Sequence, residues 1–121
     1  MDAFTCDQRE MRALMVGPII VAPLTRKVLM DDPQVVARTT DMTDFQYRFV
    51  YRLACSAETT VSIADLKKAI WSDQNHALSD NALQVLAYRI RKKMNEVSKN
   101  SSAYLKNMRG RGYKLTALKG L

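Results

Sequence analysis

The sequence contains little of the chemistry on which most catalytic and metal sites depend. Two cysteines, Cys6 and Cys55, and one histidine are too few for a disulfide framework or for a zinc site of the usual Cys/His type. Cys55 is expected to be a small hydrophobic residue. His76 lies in a polar stretch without a partner that would make it a catalytic base. The sequence therefore predicts no catalytic residue, no metal and no cofactor, and an enzyme is the least favoured class.

Long apolar runs are also missing. The longest, residues 16–24, is interrupted by one glycine and two prolines, and it is far shorter than the roughly 20 residues that a membrane helix needs. The first twelve residues carry three acids and no apolar segment, unlike a signal peptide. With 47% hydrophobic and 26% charged residues, the composition is that of an ordinary globular domain. These features predict a protein without a membrane span, in a reducing intracellular setting.

Acidic residues are scarce in the second half of the chain. The whole sequence has 19 basic and 12 acidic residues and a net charge of +7. Residues 1–60 hold 7 basic and 8 acidic groups, whereas residues 61–121 hold 12 basic and 4 acidic groups. A neutral first half and a basic second half favour a face that binds a polyanion. The simpler alternative is a solvated basic surface.

The first third of the chain has the texture of a small antiparallel sheet. Residues 1–15 read as a polar tail, and residues 16–121 as one domain. Asp31-Asp32-Pro33 is a turn signal. Runs of strand-type residues flank it, and they predict strands near residues 19–21, 25–30 and 35–39.

Two helices are predicted to follow. The first begins at Thr40 or Asp41, either of which can cap its N-terminus, and it runs to about residue 57. Its apolar stripe recurs every four residues as Phe45, Phe49 and Leu53. A second capping pattern at Ser62 starts a short helix that ends at Trp71.

A third helix, capped by Ser79 or Asp80 and running to about residue 97, has an unusual outer face. At about 100° per residue, its inward stripe contains Leu83, Leu86, Ala87, Ile90 and Met94. Its outer face and shoulders contain Asn81, Gln84, Val85, Tyr88, Arg89, Arg91 and Lys92. No acid lies from residue 81 to residue 95. Amide, aromatic and guanidinium groups together are those that pair with base edges and phosphates in a major groove.

The last segment, residues 104–118, predicts a β-hairpin with a basic tip. Arg109 and Arg111 alternate with glycines between residues of strand type. Two arginines at a hairpin tip can enter a minor groove, where narrow A·T tracts concentrate negative potential. The alternative is a mobile basic turn that contacts nothing.

Three segments together resemble a known family. They are Trp71, the basic run from Tyr88 to Met94, and the run from Asn107 to Tyr113, which reads N-M-R-G-R-G-Y. The pattern is similar to the winged-helix effector domain of OmpR/PhoB-type transcription regulators, over roughly residues 16–118. The resemblance implies an α+β fold, a winged helix-turn-helix with a small N-terminal antiparallel sheet, three helices and a C-terminal β-hairpin wing.

The resemblance also implies roles for individual residues. Arg89 would read bases, Arg91 would hold a phosphate, and Arg109 would enter the minor groove. Trp71 would contact the DNA backbone, and Asn107 takes the place of the threonine that is usual in the wing. The start of the third helix departs from the family pattern, so its base preference should differ. Residues 1–15 are too short for the receiver domain of typical members.

The sequence therefore predicts a sequence-specific regulator of transcription that binds double-stranded DNA, with helix 79–97 in the major groove and hairpin 104–118 in the minor groove. The predicted DNA-binding residues are Trp71, Asn81, Gln84, Val85, Tyr88, Arg89, Arg91, Lys92, Asn107, Arg109 and Arg111. The resemblance adds RNA polymerase and a second copy on tandem repeats as candidate partners, in the cytoplasm of a bacterium. Two alternatives stay open, a winged-helix adaptor that binds protein and a nonspecific nucleic-acid-binding protein.

Overall fold

A four-stranded antiparallel sheet forms the first layer. The computed structural model describes residues 13–23, 25, 27–30, 38–40, 42–71, 79–97 and 101–117. The strands pair in the order β1-β2-β3-β4, and they are β1 Leu14–Val16, β2 Ile19–Ala22, β3 Lys27–Met30 and β4 Arg38–Thr40. β1 includes two residues that the sequence pattern placed in the tail. The inward side chains are buried: Val16, Ile19, Val21 and Val28.

Helix α1, Asp44–Cys55, begins later than the sequence predicts. Its N-cap is Thr43, so the prediction of Thr40 or Asp41 is wrong. The Thr43 hydroxyl accepts from the Gln46 backbone N–H at 3.2 Å, and the Gln46 side chain accepts from the Thr43 N–H at 3.1 Å. This capping box satisfies two N–H groups that the first turn would otherwise leave without partners.

The apolar stripe of α1 is rotated from the predicted one. Phe49 and Leu53 are fully buried, but Phe45 is 36% exposed, so only two of the three residues of the predicted stripe lie in the core. Phe45 instead packs edge-on against Trp71, with ring centroids 6.0 Å apart. Tyr47 and Val50 complete the buried face.

Helices α2, Ile63–Trp71, and α3, Asp80–Val97, begin where the sequence predicts. The Ser62 hydroxyl accepts from the Asp65 N–H at 3.1 Å, and the Ser79 hydroxyl accepts from the Ala82 N–H at 3.2 Å. Both predicted caps are therefore confirmed. Four residues of the predicted inward stripe of α3 are buried, and Leu86 packs at the edge of the core; the four are Leu83, Ala87, Ile90 and Met94.

The C-terminal hairpin is confirmed and belongs to a second sheet. A short 3₁₀ helix, Ser101–Tyr104, leads into β6 Leu105–Met108, which pairs with β7 Gly112–Leu115. A two-residue strand that the sequence did not predict, β5 Val61–Ser62, pairs with the other edge of β7. The order is therefore β5-β7-β6.

Some predicted features lie outside the described residues. They include the tail up to residue 12 and the polar stretch 72–78 with His76. Cys55, at the end of α1, is half-buried. Cys6, the other cysteine of the sequence, lies outside the described residues.

Glu58 lies in the loop after α1 and is hydrogen-bonded to the end of β7 and to the two residues that follow it. Its backbone has φ +68°, in the left-handed region, and its N–H donates to the Leu115 carbonyl at 2.9 Å. Its carboxylate accepts from the Thr116 hydroxyl and from the Ala117 N–H, both at 2.6 Å. These two hydrogen bonds lower the pKa of Glu58, because they favour the charged form.

We expect Phe49→Ala to lower the free energy of unfolding more than Phe45→Ala, because Phe49 lies in the core and Phe45 lies at its edge. Removing the fully buried Phe49 ring should lower the free energy of unfolding by about 3–5 kcal/mol. Removing the half-exposed Phe45 ring should cost clearly less, because water already covers part of it. Chemical denaturation of both variants measures this, and equal losses would contradict the packing described.

We expect Glu58→Gln to lower stability in a pH-dependent way. The folded-state pKa of Glu58 lies below its ordinary value of 4.5, so the charged form stabilises the fold above that value. The contribution is lost as pH falls through the lowered pKa. Melting temperatures of wild type and variant should differ at pH 7 and converge at low pH. Glu96→Gln, on the exposed side of α3, is the control. A difference in melting temperature between wild type and Glu58→Gln that does not change with pH would refute the stabilising role of the Glu58 carboxylate.

Candidate nucleic-acid interface

The outer face of α3 presents its predicted side chains to solvent. Tyr88 is 65% exposed and Val85 is 41% exposed. The amide and basic side chains of this face are exposed as well: Asn81, Gln84, Arg89 and Lys92. Burial of the opposite stripe orients this face, since one side of an amphipathic helix points away from the core when the other is buried.

The hairpin tip presents the second set. Arg109, Gly110 and Arg111 form the turn and are exposed, and Asn107 is exposed on β6 just before it. The Arg111 N–H donates to the Met108 carbonyl at 2.8 Å. Two arginine side chains therefore project from a turn that is closed by its own backbone hydrogen bond.

The turn is also attached to the helix-turn-helix. The Ile63 N–H, at the first residue of α2, donates to the Arg111 carbonyl at 3.3 Å. Gly112 lies against the backbone of Val61 so closely that a side chain at 112 would overlap the Val61 carbonyl. A Cβ at position 110 would meet no other atom, so glycine is favoured there only because the backbone has a φ of +77°.

Helix α3 and the hairpin form the two walls of an open cleft of about 520 Å³. Among the described residues that line it are Gln84, Tyr88, Arg91, Asn107, Arg109 and Tyr113. The acid in the lining, Asp80, forms an ion pair with Lys67 of α2. The cleft therefore combines basic, amide and aromatic groups, and its carboxylate is already neutralised by a partner.

Two predicted site residues are placed differently from the rest. Trp71 is only 8% exposed and packs on Phe45. Arg91 is half-buried, and its Nη2 donates to the Leu105 carbonyl at 2.6 Å. The other nine predicted residues lie exposed on the outer face of α3 and on the hairpin.

Asp80 and Tyr113 are among the cleft residues that the prediction did not include. Tyr113 and Leu115 are two residues apart on β7 and therefore share a face, a spacing that could have indicated an inward side chain. It packs edge-to-face on Phe49, with ring centroids 5.3 Å apart, and is 4% exposed. Burial raises the pKa of Tyr113, and the nearby charge of Arg91 opposes the rise.

Within the described ranges, no three His, Cys, Asp or Glu side chains are grouped so that they could hold a metal ion. No described helix is long and apolar enough to cross a membrane.

A family comparison identifies the domain. The family described as "Transcriptional regulatory protein, C terminal" matches residues 37–115, from the region of β4 to the end of β7. The chain belongs to this family. The match confirms the resemblance to OmpR/PhoB-type effector domains, and the α+β winged helix-turn-helix fold is confirmed with it. The chain is thus a DNA-binding transcription-regulator domain, and such domains are not enzymes.

Solved structures have the same fold as this effector domain. The DNA-binding domain of CpxR from E. coli is 20% identical, with a TM-score of 0.69 over 88% of this chain and 99% of that chain. The DNA-binding domain of the response regulator AdeR, solved with an intercistronic region, is 17% identical, with a TM-score of 0.73 over 85% and 98%. The Klebsiella pneumoniae RstA DNA-binding domain, solved with the RstA box, is 18% identical, with a TM-score of 0.68 over 88% and 99%. No curated protein matches the chain.

We expect Gly112→Ala to be far more damaging to the effector domain than Gly110→Ala. A methyl group at 112 must displace the Val61 backbone and so break the β5–β7 pairing, at a cost of about 2 kcal/mol or more. The same change at 110 meets no atom and carries only the backbone strain, about 1 kcal/mol. Thermal unfolding of the two variants measures the difference, and the reverse order would show that β5 does not anchor the hairpin.

Proposed function

We propose that this effector domain binds double-stranded DNA in a sequence-specific way, with α3 in the major groove and the hairpin in the adjacent minor groove, and so regulates transcription. One observation carries the proposal. Gln84 and Tyr88 of the outer face of α3 line one cleft together with Arg109 of the hairpin tip, and Arg89 and Arg111 are exposed on the same two elements. A surface with that arrangement can contact both grooves on one side of a duplex.

The exposed side chains suit these two grooves. A major groove about 12 Å wide admits a helix, and there arginine can bond guanine while asparagine and glutamine can bond adenine. Arg89, Asn81 and Gln84 are exposed to do this. Val85 and Tyr88 are exposed apolar groups suited to a thymine methyl. Arg109 and Arg111 are suited to the negative potential of a narrow minor groove.

Lys92 and Trp71 are proposed backbone contacts. Lys92 is exposed one turn beyond Tyr88 on α3, so its ammonium group can approach a phosphate. Trp71 is only 8% exposed, so little of its surface is available to the DNA backbone.

Further partners are proposed from the family relationship. AdeR and RstA domains of this fold were solved with DNA, which supports a duplex as the ligand. A second copy of the chain on a direct repeat and RNA polymerase are proposed protein partners, in a bacterial cytoplasm. The polymerase contact would use the polar stretch 72–78, which lies outside the described residues.

Selection of duplexes from a random DNA pool tests specificity. At about 150 mM salt, near physiological ionic strength, we expect enrichment of one motif, with a direct repeat if two copies bind. Flat recovery that vanishes as salt rises would indicate a nonspecific electrostatic binder. No recovery would favour the adaptor that binds protein.

We expect Arg89→Ala and Arg109→Ala to weaken binding to the selected duplex in different ways. Loss of Arg89 should reduce affinity roughly 5- to 150-fold and relax the preference at one base position. Loss of Arg109 should also lower the slope of log affinity against log salt by about 1 if its guanidinium replaces counterions. Combining the two should abolish binding while leaving the fold intact.

Lys27→Ala is the matched control for these variants, because it removes one exposed charge from the N-terminal sheet. Fluorescence anisotropy and circular dichroism give affinity and fold. Wild-type affinity in the two arginine variants, or an equal loss in Lys27→Ala, would contradict the assignment of these residues.

A further inference from the structure

Arg91 differs from the other arginines of α3 and the hairpin in what its guanidinium contacts. Arg89, Arg109 and Arg111 are exposed, whereas Arg91 is half-buried. Its Nη2 donates to the carbonyl oxygen of Leu105 at 2.6 Å. Its Nε is buried and has no hydrogen-bond partner among the described residues.

The Arg91 side chain lies where α3 meets both strands of the hairpin. Leu105 is the first residue of β6, is 2% exposed, and is paired with Leu115 across the hairpin. Arg91 lines the cleft on one side of β6, and it also lines a concavity of about 620 Å³ beside Ser102 and Lys106. Its charge also acts on Tyr113 of β7.

This geometry is poorly suited to a phosphate contact. A guanidinium holds a phosphate best through two parallel N–H donors. Here Nε is covered and one N–H of Nη2 is bonded to Leu105, so the donor pair that includes Nε is lost and only Nη1 and the second N–H of Nη2 are left. A hydrogen bond from a charged donor to a buried carbonyl is short and strong. It joins the middle of α3 to the start of β6 across 14 residues of chain.

We infer that Arg91 is a positioning residue, which holds β6 against α3 so that Arg89 and Arg109 can contact the two grooves together. This role replaces the phosphate contact that the family resemblance implies. The effect of Arg91 on DNA binding rests on the proposed function. Its effect on the position of the hairpin does not.

The first test uses the free protein and the charge-conserving variant Arg91→Lys. A lysine keeps the positive charge but loses the planar guanidinium and its reach. We expect a folded domain whose β6 and β7 amides exchange at least about tenfold faster, with chemical-shift changes in the hairpin. Arg89→Lys, two residues away and exposed, should leave both unchanged. Unchanged hairpin exchange in Arg91→Lys would overturn the inference.

The second test is a double-mutant cycle on the selected duplex. Arg91→Lys should lose at least about tenfold in affinity, and adding it to Arg109→Ala should cost little more, because the hairpin contact is already lost. Arg89→Lys combined with Arg109→Ala should instead show additive losses, as independent contacts do. Near wild-type affinity of Arg91→Lys, or additive losses with Arg109→Ala, would assign Arg91 to a phosphate and overturn the inference.

Two outcomes separate this inference from the proposed function. Wild-type protein that recovers no duplex would refute the proposed function, while amide exchange of the hairpin in the free protein still decides the role of Arg91.

Arg91→Met, which keeps an apolar stem, is made in parallel. Unfolding of both Arg91→Lys and Arg91→Met would assign Arg91 to general stability and would also overturn the inference.

Discussion

The contact between Phe49 and Tyr113 is the interaction on which the geometry of the candidate interface depends. The fully buried Phe49 ring of α1 meets the edge of a residue on β7. Helix α1 also supports α3, because Lys93 donates to the buried Gln46 side chain at 2.7 Å. The recognition surface and the hairpin are thus built on the same helix. A change in how α1 packs would move both walls of the cleft, although α1 itself lies behind them.

Electrostatics and packing have separate tasks in this domain. The buried stripe of α3 decides which face is exposed, and the absence of acids on that face decides what it attracts. Asp80 follows the N-cap residue of α3, where a negative charge interacts favourably with the helix dipole and so stabilises the helix. Its pairing with Lys67 keeps this helix-stabilising charge from opposing an anion in the cleft. A stabilising acid and a basic binding face are therefore compatible on one helix.

The sequence predicted those features that depend on residues close together in the chain. Helix α3 has a clear 3.6-residue period and a serine cap, and the R-G-R-G run identifies the hairpin. The start of α1 was missed because four candidate caps lie between Thr40 and Asp44, and only Gln46, reaching back to Thr43, decides among them. Strand β5 has two residues, too few for any periodicity, and exists because β7 pairs with it. Arg89 and Arg91 look alike in sequence, but the distant Leu105 carbonyl separates their roles.

The hydrogen bond from the Ile63 N–H to the Arg111 carbonyl has a thermodynamic consequence for association. A free loop loses conformational entropy when a partner immobilises it, and that loss weakens binding. Here the tip of the hairpin is already held against the start of α2 before any partner arrives, so the entropy of its backbone is lost during folding. Only the long arginine side chains remain to be ordered. The tip can therefore present its charges with a smaller entropic penalty, and at a distance from α3 that the folded domain has set in advance.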